Sequence, residues 1–161
     1  MNSRKYSIVI FLLAINLLSA AQVQLPKYHD SLFSTYYHQR VTLFNALPKT
    51  NNDIIFIGNS ITDGGEWSEL FNDLQLKNRG ISGDITAGVL NRIDEVAKRK
   101  PAKVFLMIGV NDLARGISVD SVVKNILLIA SFLRQETPSS KLFIQSILPV
   151  NDIYNKFQGH T

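Results

Sequence analysis

Two rhythms of apolar residues alternate along the chain. Short unbroken runs, Ile54-Ile55-Phe56-Ile57 before Gly58 and Val104-Phe105-Leu106-Met107-Ile108 before Gly109, have the length and glycine stop of strands buried on both faces. They predict strands over 53–58 and 103–109, joined by one over 141–148 that Pro149 closes and by a sparser one over 74–78. Between them the apolar positions step by three and four. Ile85, Val89, Leu90, Ile93 and Val96 share one face of a helix over 85–96, and Val122, Ile126, Ile129 and Leu133 one face of a helix that Ser118 caps and Pro138 follows. Phe33, Tyr36, Tyr37, Val41 and Phe44 predict a helix within 28–46 that ends before Pro48, followed by a polar loop over 49–52; a short helix is expected over 68–74. Buried strands alternating with amphipathic helices imply parallel βαβ units with right-handed crossovers, and hence a three-layer α/β/α sandwich.

The first 21 residues stand outside that pattern. Arg4 and Lys5 precede an uncharged apolar run, Ile8 to Leu18, and the small residues Ser19, Ala20 and Ala21 follow it, which is the layout of a secretory signal peptide. The competing reading is a membrane anchor, but the run is only about half of the roughly 20 residues that a spanning helix needs. The expected location is therefore secreted or periplasmic, with no stable membrane anchor. Without residues 1–21 the chain keeps 15 Lys and Arg (17 less 2) against 13 Asp and Glu, so its basic balance points to no nucleic-acid partner. The run Lys98-Arg99-Lys100 is expected to be a solvated helix end, where cations suit the negative pole of the dipole. An exported chain without cysteine has neither a disulfide framework nor thiolate chemistry, so burial must stabilise it.

Candidate chemistry lies in three polar clusters: Gly58-Asn59-Ser60, Gly80-Ile81-Ser82-Gly83-Asp84 and Gly109-Val110-Asn111-Asp112. Each follows a predicted strand, and ligands of open parallel sheets bind outside the carboxyl ends of the strands. Ser60 can be a nucleophile exposed by a tight turn, or an ordinary helix cap. Gly83 can bring a bare N–H to a bound group, or be a turn glycine ahead of a helix that Asp84 caps. Asn111 can donate its amide to a carbonyl oxygen as charge develops, or close an Asx-turn. Together, a hydroxyl and two N–H donors on neighbouring strand ends meet the needs of acyl transfer.

These clusters resemble the blocks of the SGNH or GDSL-type serine hydrolases, above all the bacterial acylhydrolases grouped with sialate O-acetylesterases. Asp53 to Asp63 is similar to the first block, Asn78 to Thr86 to the second and Gly109 to Leu113 to the third, and the resemblance runs from about Tyr37 to the end. It implies a flavodoxin-like sheet, no cofactor and no metal, with carbohydrate or lipid esters as substrates. The nucleophile falls on Ser60, and the oxyanion donors on the Ser60 N–H, Gly83 and Asn111. It divides the chain into a signal peptide (1–21), an N-terminal helical segment (22–52) and a partial hydrolase domain (53–161).

Two departures matter. Asn59 replaces the aspartate of the common motif and can accept a hydrogen bond without charge. The Asp-x-x-His block is absent: His160 has Phe157 three residues before it, and His29 and His38 precede the first strand. The expectation is an incomplete, inactive fragment of an exported esterase, its last strand and helix missing and apolar surface left bare. The enzyme's bond to cleave is expected to be an O-acetyl ester on a carbohydrate, with Trp67 as either a sugar-stacking wall near Ser60 or a core anchor. A non-catalytic module that holds an acylated sugar is the alternative. Nucleotide binding fits less well, because glycines 80, 83 and 88 do not spell Gly-x-Gly-x-x-Gly and there is no Gly-Lys-Ser/Thr loop. The signal-peptide reading has a direct check: N-terminal sequencing of the exported product is expected to begin at or next to Gln22.

Overall fold

The computed structural model describes residues 22–147. The N-terminal run 1–21, Leu148, Pro149 and His160 lie outside the described residues.

Four strands, β1 (Ile54–Gly58), β2 (Leu76–Gly80), β3 (Lys103–Met107) and β4 (Lys141–Ile144), form a wholly parallel sheet in the order β2-β1-β3-β4. The helices are α1 (Thr35–Ala46), α2 (Ser60–Asp63), α3 (Trp67–Leu70), α4 (Thr86–Ala97), α5 (Val110–Ala114) and α6 (Val119–Glu136). One face of the sheet is closed by α4 and α6, whose Val89, Leu90, Ile93, Ile129 and Leu133 bury Ile55, Ile57, Val104 and Leu106. Each such side chain contributes roughly 1.5–3 kcal/mol on burial, which is how a chain without cysteine holds together. The short α2 and α3 lie on the opposite face, where Trp67 stacks on Phe56 with ring centroids 4.8 Å apart. From there Phe56, Phe105 and Phe143 continue as a row of stacked rings across the sheet. Parallel strands with helices on both faces are the α/β architecture that the alternating pattern implies.

Several boundaries differ from the pattern. The second strand spans Leu76–Gly80 and not 74–78: Leu74 is 84% exposed, whereas Asn78 and Arg79 enter the ladder because their polar groups find partners inside. The third and fourth strands are shorter than predicted, Lys103–Met107 and Lys141–Ile144, although Gln145 N–H still donates to the Leu106 carbonyl. The helix expected over 68–74 is a single turn, Trp67–Leu70, stopped by Asn72 at a φ of 48°. The first helix starts only at Thr35, where the Ser34 hydroxyl caps it by accepting the Tyr37 N–H. Before it, His29 caps a 3-10 turn over Asp30–Leu32, and Leu25 and Tyr28 pack on the main core. Ser118 caps α6 as expected, its hydroxyl accepting the Ser121 N–H.

The run 98–100 is corrected at its centre. Lys98 is exposed and paired with Asp94, but Arg99 is 6% exposed. Its Nε bonds the Glu95 carboxylate at 2.5 Å, and its other nitrogens donate to the carbonyls of Phe44, Leu47 and Pro48 at 2.9–3.2 Å. A guanidinium has enough donors to cap the C-terminus of α1 and still pair with an acid, so Arg99 fastens α1 to α4. Removing one partner from such a buried network typically costs about 3–5 kcal/mol. Arg99→Ala is therefore expected to lower the unfolding free energy by that order, read as a fall in the urea midpoint, whereas Lys98→Ala shifts it by less than about 0.5 kcal/mol.

Candidate active site

Register brings the three clusters to one edge. The last paired residues of β1 and β2, Gly58 and Gly80, lie side by side, and Gly58 also pairs with Met107 of β3. Ser60, Gly83 and Asn111 follow these residues by two, three and four positions, so all three leave the sheet at its carboxyl edge. The chain order reverses between β1 and β3, which is the crevice where parallel sheets bind ligands.

Ser60 is the exposed first residue of α2, and its hydroxyl has no hydrogen-bond partner among the described residues. The cap of that turn is its neighbour: buried Asn59 accepts the Ile61 N–H at 3.0 Å on Oδ1. Asn59 thus does the work of a cap without charge and leaves the serine free. Gly83 is exposed at a φ of 79°, a conformation that favours glycine, and its N–H has no partner among the described residues. The Asn111 amide donates to the Asp84 carbonyl at 2.9 Å. An amide nitrogen carries two hydrogens, so that bond fixes the group and leaves one N–H to give.

Four charged residues to which sequence reasoning gave no such role tie the loops together. Asp63, at the end of α2, accepts the Ser82 N–H at 3.0 Å, the Ser82 hydroxyl at 2.7 Å and the Tyr36 hydroxyl at 2.9 Å. Asp112 reaches back from α5 to α4, taking the Thr86 N–H on both oxygens and the Thr86 hydroxyl at 2.5 Å. It caps α4 from another element, because Ile85 at the cap position has no side chain to do so. Asp84 is not that cap; it is buried and paired with Arg92 at 2.8 Å. Burial pushes both the Asp84 and Asp112 carboxyls above the ordinary carboxylate value, against the pull of Arg92 on one and Thr86 on the other. The one signal for these roles is adjacency, since each aspartate stands within three residues of Ser60, Gly83 or Asn111 in the sequence.

The histidines of the N-terminal segment are engaged elsewhere. His29 Nδ1 accepts the Ser31 N–H, and His38 lies edge-on to Tyr37 with Nε2 3.2 Å from the Asp30 carbonyl oxygen. Trp67 donates Nε1–H to the Thr62 carbonyl at 2.8 Å and spends its ring on Phe56, so it is an anchor for the α2–α3 turn. Among the described residues no group of three or more His, Cys, Asp and Glu is placed to hold a metal ion, and no helix is long and apolar enough to cross a membrane.

Sheet order and the three loops at its carboxyl edge define an α/β sandwich of the SGNH type. The chain belongs to the GDSL-like Lipase/Acylhydrolase family, whose model matches residues 56–159. Platelet-activating factor acetylhydrolase IB subunit alpha2 of Rattus norvegicus is 29% identical over 103 residues, 60% of this chain and 44% of that protein. The subunit beta homolog of Drosophila melanogaster is 30% identical over 112 residues, 66% of this chain and 49% of its own. The chain thus spans less than half the length of these curated relatives. Among solved structures, a GDSL-like lipase of Bacteroides thetaiotaomicron VPI-5482 matches with a TM-score of 0.59 at 28% identity, covering 70% of this chain and 58% of that one. A structure from Streptococcus pneumonia reaches a TM-score of 0.64 over 92% of this chain and 64% of that one; its 24% identity speaks for the fold alone.

The raised Asp112 carboxyl has a consequence for stability. A group that holds its proton more tightly when folded than at its ordinary value of 3.8 makes the unfolded chain the first to ionise as pH rises. The folded state therefore loses stability through that range as pH rises. Relative to Asp112→Asn, the wild type is expected to become less stable as pH rises past the ordinary carboxylate value of 3.8, measured by urea unfolding at several pH values. The opposite slope would contradict burial as the cause of the shift.

Proposed function

We propose that the protein is an exported serine esterase that removes small acyl groups, acetyl foremost, from carbohydrate hydroxyls. The observation that carries the reading is the Ser60 hydroxyl, without a hydrogen-bond partner among the described residues, at the same sheet edge as two N–H donors, Gly83 and Asn111. In this reading Ser60 Oγ attacks the ester carbonyl while a base takes its proton. The tetrahedral oxygen accepts from the N–H groups of Ser60 and Gly83 and from the Asn111 amide. Collapse returns the proton to the departing alcohol and leaves acyl-Ser60; water then adds, the acid leaves and the serine is restored.

Membership of the GDSL-like family supports ester hydrolysis, and the names of the curated relatives, acetylhydrolases, support a short acyl group. A carbohydrate as the alcohol rests on the resemblance to sialate O-acetylesterases, and export rests on the layout of residues 1–21. Within residues 22–147 neither histidine hydrogen-bonds Ser60. Serine hydrolases that lose triad members keep only about 10³- to 10⁴-fold catalysis over water, so full turnover in this reading depends on the base that completes the site. The same observation favours a second reading, a module that holds an acylated sugar without cleaving it.

Hydrolysis of aryl acetates and aryl octanoates by the gene product that carries these residues separates the two. Ser60→Ala is expected to lower kcat by at least about 10³-fold, Asn111→Ala by about 10²- to 10³-fold with little change in KM, and the acetate is expected to be the faster ester. Turnover that survives Ser60→Ala would remove that residue as nucleophile. Tight binding of O-acetylated glycans that leaves every ester intact would establish the binding module.

A further inference from the structure

We infer that Arg92 is a positioning residue for the oxyanion donors, acting through Asp84 on the Asn111 amide and the Gly83 N–H; this rests on the ester-hydrolase reading of that edge. Arg92 lies in the middle of α4 and is 3% exposed, away from any solvent that would hydrate a guanidinium. Nε and Nη2 both bond one oxygen of Asp84, at 3.0 and 2.8 Å. Nη1 donates to the Arg79 carbonyl at 2.9 Å and Nη2 reaches the Gly58 carbonyl at 3.4 Å. One side chain is thus tied to the ends of β1 and β2 and to the loop that follows β2.

Asp84 passes that constraint on in two directions. Its own N–H donates to the Ile81 carbonyl at 3.1 Å, closing a turn over residues 81–84 in which Gly83 takes its positive φ. The closed turn fixes the peptide that carries the Gly83 N–H. Its carbonyl accepts the Asn111 amide at 2.9 Å and so sets the direction of the remaining Asn111 N–H. Arg92 touches neither Ser60 nor the place of a substrate. A buried ion pair adds little net stability compared with an apolar pair of the same size, which leaves orientation as the use that the Arg92–Asp84 pair has here. Burial pushes the Asp84 carboxyl up against the pull of Arg92, so the two groups depend on each other in a dry site.

The test uses the full chain labelled with nitrogen-15, with Arg92→Lys and Asp84→Asn as alternative ways to break the pair. The amide signals of β3 and α6 are expected to stay in place. The Gly83 backbone amide and the Asn111 side-chain amide are expected to shift, and the Asn111 amide protons to exchange at least about tenfold faster. Unmoved Gly83 and Asn111 signals would overturn the inference. So would changes spread through β3 and α6, or loss of fold in both variants, since the pair would then hold the fold at large. In kinetics, Arg92→Lys is expected to lower kcat more than it raises KM, and to add less than about a twofold loss when Asn111→Ala is already present. An Asn111→Ala variant with undiminished kcat would defeat the ester-hydrolase reading itself. Losses that simply multiply in the double variant would leave that reading standing and remove Arg92 from it.

Discussion

The site depends on how closely α2 can approach the ends of the strands. A Cβ on Gly80 would stand 2.1 Å from the backbone nitrogen of Asp63, and one on Gly58 would stand 2.1 Å from the Thr62 hydroxyl oxygen and 2.6 Å from the Met107 carbonyl oxygen of β3. Only residues without a side chain allow one helical turn to lie flat against β1 and β2 there. Asn78 fastens the turn, its amide donating to the carbonyls of Thr62, Asp63 and Gly65 at 2.8–3.0 Å while its oxygen accepts the Gly80 N–H. The position of Ser60 is therefore set by backbone packing and by one half-buried amide, before any catalytic group is considered.

Behind that edge lies an unusual amount of buried charge. The ring of Phe44 has the guanidinium of Arg40 at 4.7 Å and that of Arg79 at 4.8 Å, and Arg92 is 6.0 Å away. Glu95 pairs with both Arg79 and Arg99, and burial lowers the Arg79 pKa in spite of it. Cations can be kept in such a place because aromatic faces and backbone carbonyls share the charge with the carboxylates. The result is that α1, the end of β2 and the inner face of α4 are joined by directional bonds as well as by apolar contact. The N-terminal helical segment shares a core with the end of β2 through Tyr37, Phe44 and Ile81.

What could be read from the sequence follows from these physics. β1 and β3 were legible because an unbroken apolar run has one comfortable home, and α4 and α6 because their buried positions repeat at helical spacing. The three clusters were legible as a group because strand ends in parallel register must surface together. β2 was placed two residues early because Asn78 and Arg79 look like loop residues until their partners, the carbonyls of α2 and the Glu95 carboxylate, are known. Arg99 looked like a solvated helix end for the same reason. Asp63 and Asp112 carry no role in the sequence reading, and Asp84 only that of a helix cap, because their partners lie 8 to 27 positions away and no local pattern encodes such a pairing.

The bonds that hold the donors are independent of the group that would take the proton of Ser60. Gly83 is set by the turn that Asp84 closes, Asn111 by the Asp84 carbonyl, and the Thr86 end of the loop by Asp112. Ser60 is set by Asn59 and Asn78. In the proposed reading, the groups that would stabilise an oxyanion are held within β1, β2, β3 and the turns that leave them. Such an arrangement agrees with the residual catalysis that serine hydrolases keep when triad members are removed, because stabilisation of an oxyanion needs fixed dipoles and no titrating group.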